Sequence, residues 1–181
     1  MNFITKNIAK LTFGILFLSS GLTSLHAQDS THKLENMHVT IQATDYKHSK
    51  FVEHETIKRK EYIFGKATSY KKNGEANAGI MLQPYADYVI KSNMAGGSYN
   101  VTIHYQIDKE TAPKNPMLAI AIDAQKPQYI EIKNKLVNTV KANFKVKFIK
   151  GKSHTIRVWF PSQGVKINEL KINKALVNKK S

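Results

Sequence analysis

From Ser98 to Ile107 the chain alternates without a slip. Tyr99, Val101, Ile103, Tyr105 and Ile107 fall on one side, and Asn100, Thr102, His104 and Gln106 on the other. Period two is the mark of a strand with one face in a core and one in water. The same pattern recurs along the chain. Met37 to Ala43 predicts a first strand, and Ala86 to Asn93 another through Tyr88 and Ile90. Met117 to Asp123 points Leu118, Ile120 and Ile122 inward, and Gln128 to Ile132 forms a short strand. Lys60 to Tyr70 and Ala78 to Leu82 are shorter candidates, while Thr44 to Arg59 reads as irregular. Three runs close the chain. Phe144, Val146 and Phe148 alternate with lysines, then Ile156, Val158 and Phe160 with Thr155, Arg157 and Trp159. Val165, Ile167, Leu170 and Ile172 follow, with a register break near Glu169. Turns at Lys150-Gly151-Lys152 and Pro161 to Gly164 separate these runs, and the second is expected to be a hairpin. No stretch carries a capped helical pattern or an internal repeat. Eight to ten short strands at regular spacing predict an all-β fold, a single antiparallel β-sandwich or jelly roll. Tyr99, Val101, Ile103, Leu118, Ile120, Ile122, Ile156 and Val158 should share one core.

The N-terminus breaks this pattern. Lys6 and Lys10 precede the apolar run Leu11 to Leu18, and Leu25-His26-Ala27 offers a small residue before Gln28. Residues 1–27 therefore read as a cleaved signal peptide, too short in its apolar run for a comfortable membrane span. Residues 28–36 are a polar lead-in, 37–172 the sandwich and 173–181 a frayed basic tail. The chain has 181 residues and no cysteine. No disulfide supports the fold, which suits a bacterial periplasmic or secreted protein. The mature chain should contain no membrane span.

Charge adds a partner class. The formal net charge is +15, and from Lys133 to Ser181 a single acid, Glu169, stands among the basic residues. One reading is an anionic partner such as an acidic polysaccharide. The other is a solvated, lysine-bearing set of strand faces that discourages edge pairing. Nothing marks a nucleic-acid reader.

Four segments resemble the carbohydrate-binding modules of families 6 and 35, which share the galactose-binding-like jelly roll. Ile41-Gln-Ala-Thr-Asp-Tyr46 is similar to the opening strand of those modules. Ala86 to Tyr105, with its Ala-Gly-Gly-Ser-Tyr turn, is similar to the middle strand–turn–strand. Leu118-Ala-Ile-Ala-Ile-Asp123 is similar to the strand ending in Val-Asp-Gly. Phe148 to Arg157 and Gly164 to Ile172 are similar to the closing Lys-x-Gly-x-His-Thr-Ile and Gly-Val-Asn-Ile-Asp pair. The resemblance implies a non-catalytic sugar-binding sandwich. It places Gln42, Thr44 and Asn168 where the family carries acids around a structural calcium. These neutral replacements predict that no metal or other cofactor is needed. The family's ligand Asn falls at Lys166.

Sugar recognition needs aromatic faces beside polar groups. Trp159, the only Trp, sits on the polar side of its strand next to the Pro161 turn, and Lys166 opens the next strand. The expected hairpin brings the two together, so Trp159 and Lys166 lead the ligand-binding candidates, with Asn168, Tyr70 and Tyr85. In that reading Trp159→Ala abolishes binding and leaves the fold intact; if Trp159 is packing, it destabilises instead. No catalytic residue or metal ligand set is read: the histidines show no ligand spacing and no nucleophile motif occurs. The expected function is a secreted or periplasmic carbohydrate binder, for an anionic polysaccharide where the charge is used. The alternatives are a protein-interaction or structural sandwich of the envelope, and a small glycan-active enzyme on the same scaffold.

Overall fold

The computed structural model describes residues 31–34, 38–76, 79, 83–92, 97–133 and 140–175. The signal-peptide reading, most of the candidate strand at Ala78 to Leu82 and the end of the basic tail lie outside these residues. Among the described residues there are twelve strands: β1 (Thr31–Leu34), β2 (His38–Gln42), β3 (His48–Lys50), β4 (Val52–Ile57), β5 (Lys60–Gly65), β6 (Tyr85–Ser92), β7 (Gly97–Ile107), β8 (Met117–Ile122), β9 (Gln128–Glu131), β10 (Val140–Phe148), β11 (Ser153–Trp159) and β12 (Val165–Lys174).

They form two six-stranded sheets. The first runs β1-β6-β11-β8-β9, with β3 on the same edge of β6 as β1. The second runs β10-β7-β12-β5-β4, with β2 also paired to β12. All pairs are antiparallel except β1 with β6. Two packed antiparallel sheets make a β-sandwich, as the alternation predicts. All eight core residues named above are buried in the shared core. Tyr88, Phe144 and Phe160 fill its bulkiest positions, and the Tyr88 hydroxyl donates to the Ala43 carbonyl at 2.8 Å.

Three expectations are corrected. The polar lead-in contains a strand, β1. The irregular stretch before Arg59 holds β3 and β4, and β4 turns into β5 at Lys58 and Arg59. Both have positive φ (48° and 66°), a hairpin turn made without the Asn or Gly that usually announces one. The largest correction concerns the closing strands. β10 and β12 lie in the second sheet, flanking β7, while β11 lies in the first between β6 and β8. The turns at Lys150–Lys152 and Pro161–Gly164 therefore cross between sheets and are not hairpins. Alternation fixes which face is buried, not which strand is the neighbour. The register break near Glu169 is present, as a shift between Ile167 and Glu169. There β12 exchanges β5 for β2 as its partner.

Candidate functional site

The outer face of the first sheet carries a cleft. On β11 the core side chains Ile156, Val158 and Phe160 leave Thr155, Arg157 and Trp159 facing outward. Pairing extends this face across the sheet. Trp159 lies opposite Tyr85 on β6 and Ala119 on β8, and Ala119 lies opposite Tyr129 on β9. Tyr85, Trp159, Ala119 and Tyr129 thus form one cross-strand row spanning about 14 Å at ordinary strand spacing. Trp159 packs with Ala119, Ala121 and Tyr85 and is 5% exposed. The two alanines are what make room for an indole over a sheet. Tyr129 at the end of the row is 49% exposed.

The next row is ionic. Arg157 lies opposite Asp87 and clamps it with Nε to Oδ1 at 2.7 Å and Nη2 to Oδ2 at 2.8 Å. Its guanidinium also stacks 3.8 Å from the Tyr85 ring centroid and 5.6 Å from that of Trp159. A planar, weakly hydrated fork suits both contacts at once. The hydrogen bonds that Arg157 donates to Asp87 raise its pKa further, so this cation is permanent. The β8–β9 turn closes the cleft. Asp123, at φ 51°, accepts from the Thr155 backbone N–H at 2.9 Å and meets His154 Nδ1 at 2.8 Å. The resulting cleft has a volume of about 610 Å³. Thr155, Arg157 and Trp159 form one wall, and Gln125, Lys126 and Pro127 of the turn the other. The Trp159 indole N–H is buried with no hydrogen-bond partner among the described residues.

Not all the candidate residues meet here. Trp159 and Tyr85 belong to this face. Lys166 does not, which corrects the expected Trp159–Lys166 pairing. Its strand is in the other sheet, where Val165 and Ile167 are buried and Lys166 points outward. Side chains on opposite outer faces of a sandwich about 10 Å thick diverge. Lys166 instead binds Glu55 through Nζ and lies 5.3 Å from the Phe64 ring. Tyr70 is 8% exposed, and its hydroxyl donates to the Phe160 carbonyl at 3.0 Å. Burial pushes its pKa up, the position of a core plug. Asn168 sits at the β12 bulge, 7% exposed, its Oδ1 without a partner among the described residues. It faces a second notch of about 660 Å³ on the other sheet, lined also by Gln42, Arg59, Lys60, His104 and Lys171. Trp159 as an open stacking platform is likewise corrected: its ring is covered. Sequence reasoning missed Tyr129, Gln125 and Lys126. The outward triplet Thr155, Arg157, Trp159 was visible as alternation, but the row to Tyr129 depends on pairing that no local pattern reveals.

The calcium expected of this fold would be held near Gln42, Thr44 and Asn168. Gln42 is exposed, Asn168 offers one buried amide oxygen, and all three groups are neutral. Among the described residues no cluster of three His, Asp or Glu side chains is placed to hold a metal. This donor set does not fit calcium, which favours several oxygens including carboxylates.

No protein-family model matches the chain, and no curated protein sequence matches it. Solved structures do. The C-terminal family 6 carbohydrate-binding module of a marine laminarinase from Zobellia galactanivorans superposes with a TM-score of 0.54 at 17% identity, covering 76% of this chain and 99% of that one. A family 35 carbohydrate-binding module from Clostridium thermocellum gives 0.52 at 16%, covering 76% and 98%. A carbohydrate-binding module of a Cellvibrio mixtus lichenase, solved with cellotriose, gives 0.51 at 16%, again over 76% and 98%. Nearly whole modules are matched on a chain whose two sheets and inter-sheet turns are now described, so its fold is the jelly roll of family 6 and 35 carbohydrate-binding modules.

Proposed function

We propose that this protein is an exported, non-catalytic carbohydrate-binding module of a bacterium, and that it takes its saccharide on the outer face of the first sheet. The observation that carries the reading is the Tyr85–Trp159–Ala119–Tyr129 row beside a cleft lined by hydroxyl, amide and cationic groups. Tyr129 offers an open ring face to sugar C–H surfaces. Thr155, Gln125, Lys126 and Arg157 line the cleft beside it, where hydroxyls need polar partners. Trp159 shares the wall with Thr155 and Arg157, and its indole N–H is a donor lacking an acceptor among the described residues.

A binding role also fits the two carboxylates in the cleft. Asp87 is clamped by Arg157, and Asp123 by His154 and the Thr155 N–H. Both are committed to holding the walls, whereas glycoside hydrolysis needs an opposed acid and base with free oxygens. The solved neighbours include carbohydrate-binding modules, one of them in complex with cellotriose. An exported binder agrees with the signal-like N-terminus and the absence of cysteine. Among the described residues no helix is long and apolar enough to cross a membrane.

The test is a glycan array on the purified protein, followed by affinity measurements on Tyr129→Ala. Tyr129 is half-exposed, so its removal should leave the melting temperature within about 2 °C. Affinity for the best glycan should fall about tenfold, the loss of one aromatic contact. Undiminished binding by the variant overturns this site.

A further inference from the structure

His154 is buried behind the first sheet's cleft and does not line it. It points inward from β11 at 4% exposure, edge-on to the Phe148 ring with 5.3 Å between centroids. Both ring nitrogens are engaged. Nε2 faces the Ile149 backbone, whose N–H donates to it at 2.9 Å. Nε2 is therefore an acceptor, and the ring proton rests on Nδ1. Nδ1 donates to Asp123 Oδ2 at 2.8 Å. Asp123 opens the β8–β9 turn, whose Gln125, Lys126 and Pro127 form one wall of the cleft. Packing contributes little to fixing that wall, because Ala124, Gln125 and Lys126 are exposed. Asp123 also keeps φ at 51°, a left-handed conformation that is costly for a residue with a side chain. Its carboxylate holds it there: Oδ1 accepts the Thr155 N–H at 2.9 Å, and Oδ2 accepts the His154 proton. The second bond is sheltered on the His154 side, where the side chain is 5% exposed, and hydrogen bonds strengthen out of water.

We infer that His154 is a positioning residue of the cleft: through Nδ1 and Asp123 it sets where the β8–β9 wall stands, and so how tightly a saccharide is gripped between that wall and Thr155, Arg157 and Trp159. The inference rests on the cleft's being the saccharide site. It gives the two ring nitrogens separate work. The Ile149 N–H on Nε2 and the edge of Phe148 fix the imidazole in the end of the core. Nδ1 carries that order out to a turn that has little packing of its own. A histidine that only stabilised the core would make the wall indifferent to which of its two bonds was lost.

Two substitutions separate the nitrogens. In His154→Asn the amide nitrogen stands in for Nδ1 and can still donate to Asp123. In His154→Gln the amide oxygen stands in for Nε2 and can still accept from Ile149. Both should lower Tm, since each loses a buried hydrogen bond. Amide hydrogen exchange at Gln125, whose N–H donates to the Ile122 carbonyl at 3.0 Å, reads the wall with no ligand present. Measured against the core strands, exchange there should quicken about tenfold in His154→Gln and stay within about threefold of wild type in His154→Asn. Affinity for the tightest-binding glycan of the array should fall in the same order. Equal effects in the two variants, or none in His154→Gln, overturn the inference. If either variant fails to fold, Asp123→Asn replaces it: asparagine keeps the left-handed backbone but offers one acceptor where two donors converge, and unchanged exchange at Gln125 overturns the inference. Tyr129→Ala separates this outcome from that of the site. If Tyr129→Ala weakens glycan binding and His154→Gln does not, the positioning role alone has failed. If neither alters affinity but His154→Gln quickens exchange, the site reading has failed and the clamp on the turn has not.

Discussion

Trp159 joins two roles in one side chain, and burial decides which dominates on substitution. Its ring lies among Ala119, Ala121 and Tyr85 with Arg157 beside it, 5% exposed. Trp159→Ala should therefore cost about 3–5 kcal/mol, read as a large fall in the denaturation midpoint. The contrary expectation, loss of binding on an intact fold, belongs to an open platform that this residue does not provide. Trp159→Phe isolates the other role. It keeps most of the apolar body and removes an N–H that has no partner among the described residues, so its stability loss should be far smaller than that of Trp159→Ala. A Trp159→Ala protein that melts like wild type would falsify the packing assignment.

At the scale of elements, the chain's alternation made almost every strand face legible and left the strand neighbours hidden. Ile156 and Val158 could be assigned to the core from their own run. That β11 pairs with β6 and β8, and not with β12, depends on where the chain crosses between sheets, and turn residues do not encode that. The same gap explains why Trp159 and Lys166 looked adjacent and Tyr129 went unnoticed. β4 was missed for a different reason: Glu53, His54, Glu55 and Thr56 form an edge strand with little apolar character. The crossing from β11 to β12 has a checkable requirement at Gly164. Its φ is 73°, and a Cβ there would sit 2.7 Å from the Ala112 backbone N and 2.9 Å from the Asp108 carbonyl oxygen. Asp108 N–H also donates to the Gly164 carbonyl at 2.8 Å, so the 108–112 loop cannot simply withdraw. Gly164→Ala should cost about 2–3 kcal/mol, from strain and displaced backbone together. Chemical denaturation measures it, and a loss below about 0.5 kcal/mol would show that the loop yields.

At the scale of the whole molecule, its two outer faces divide the polar chemistry. The first sheet gives its carboxylates partners: Asp87 meets Arg157 and Asp123 meets His154. The second leaves cations over, in a chain of net charge +15. That surplus bears directly on the metal question. A calcium ion near Gln42, Thr44 and Asn168 would enter beside Arg59, Lys60 and Lys171, with no carboxylate among those three positions to offset its two charges. The Asn168 Oδ1 is a single neutral donor, and Ala43 N–H already donates to the Asn168 backbone carbonyl at 2.9 Å, tying the bulge to β2 without an ion. An ion bound only by the folded state raises the melting temperature, by an amount that grows with the logarithm of its concentration above Kd. Thermal melts in chelator and in excess calcium should therefore coincide within about 1 °C. A rise of several degrees with calcium would mean that backbone carbonyls and other acids assemble a site that these three side chains cannot.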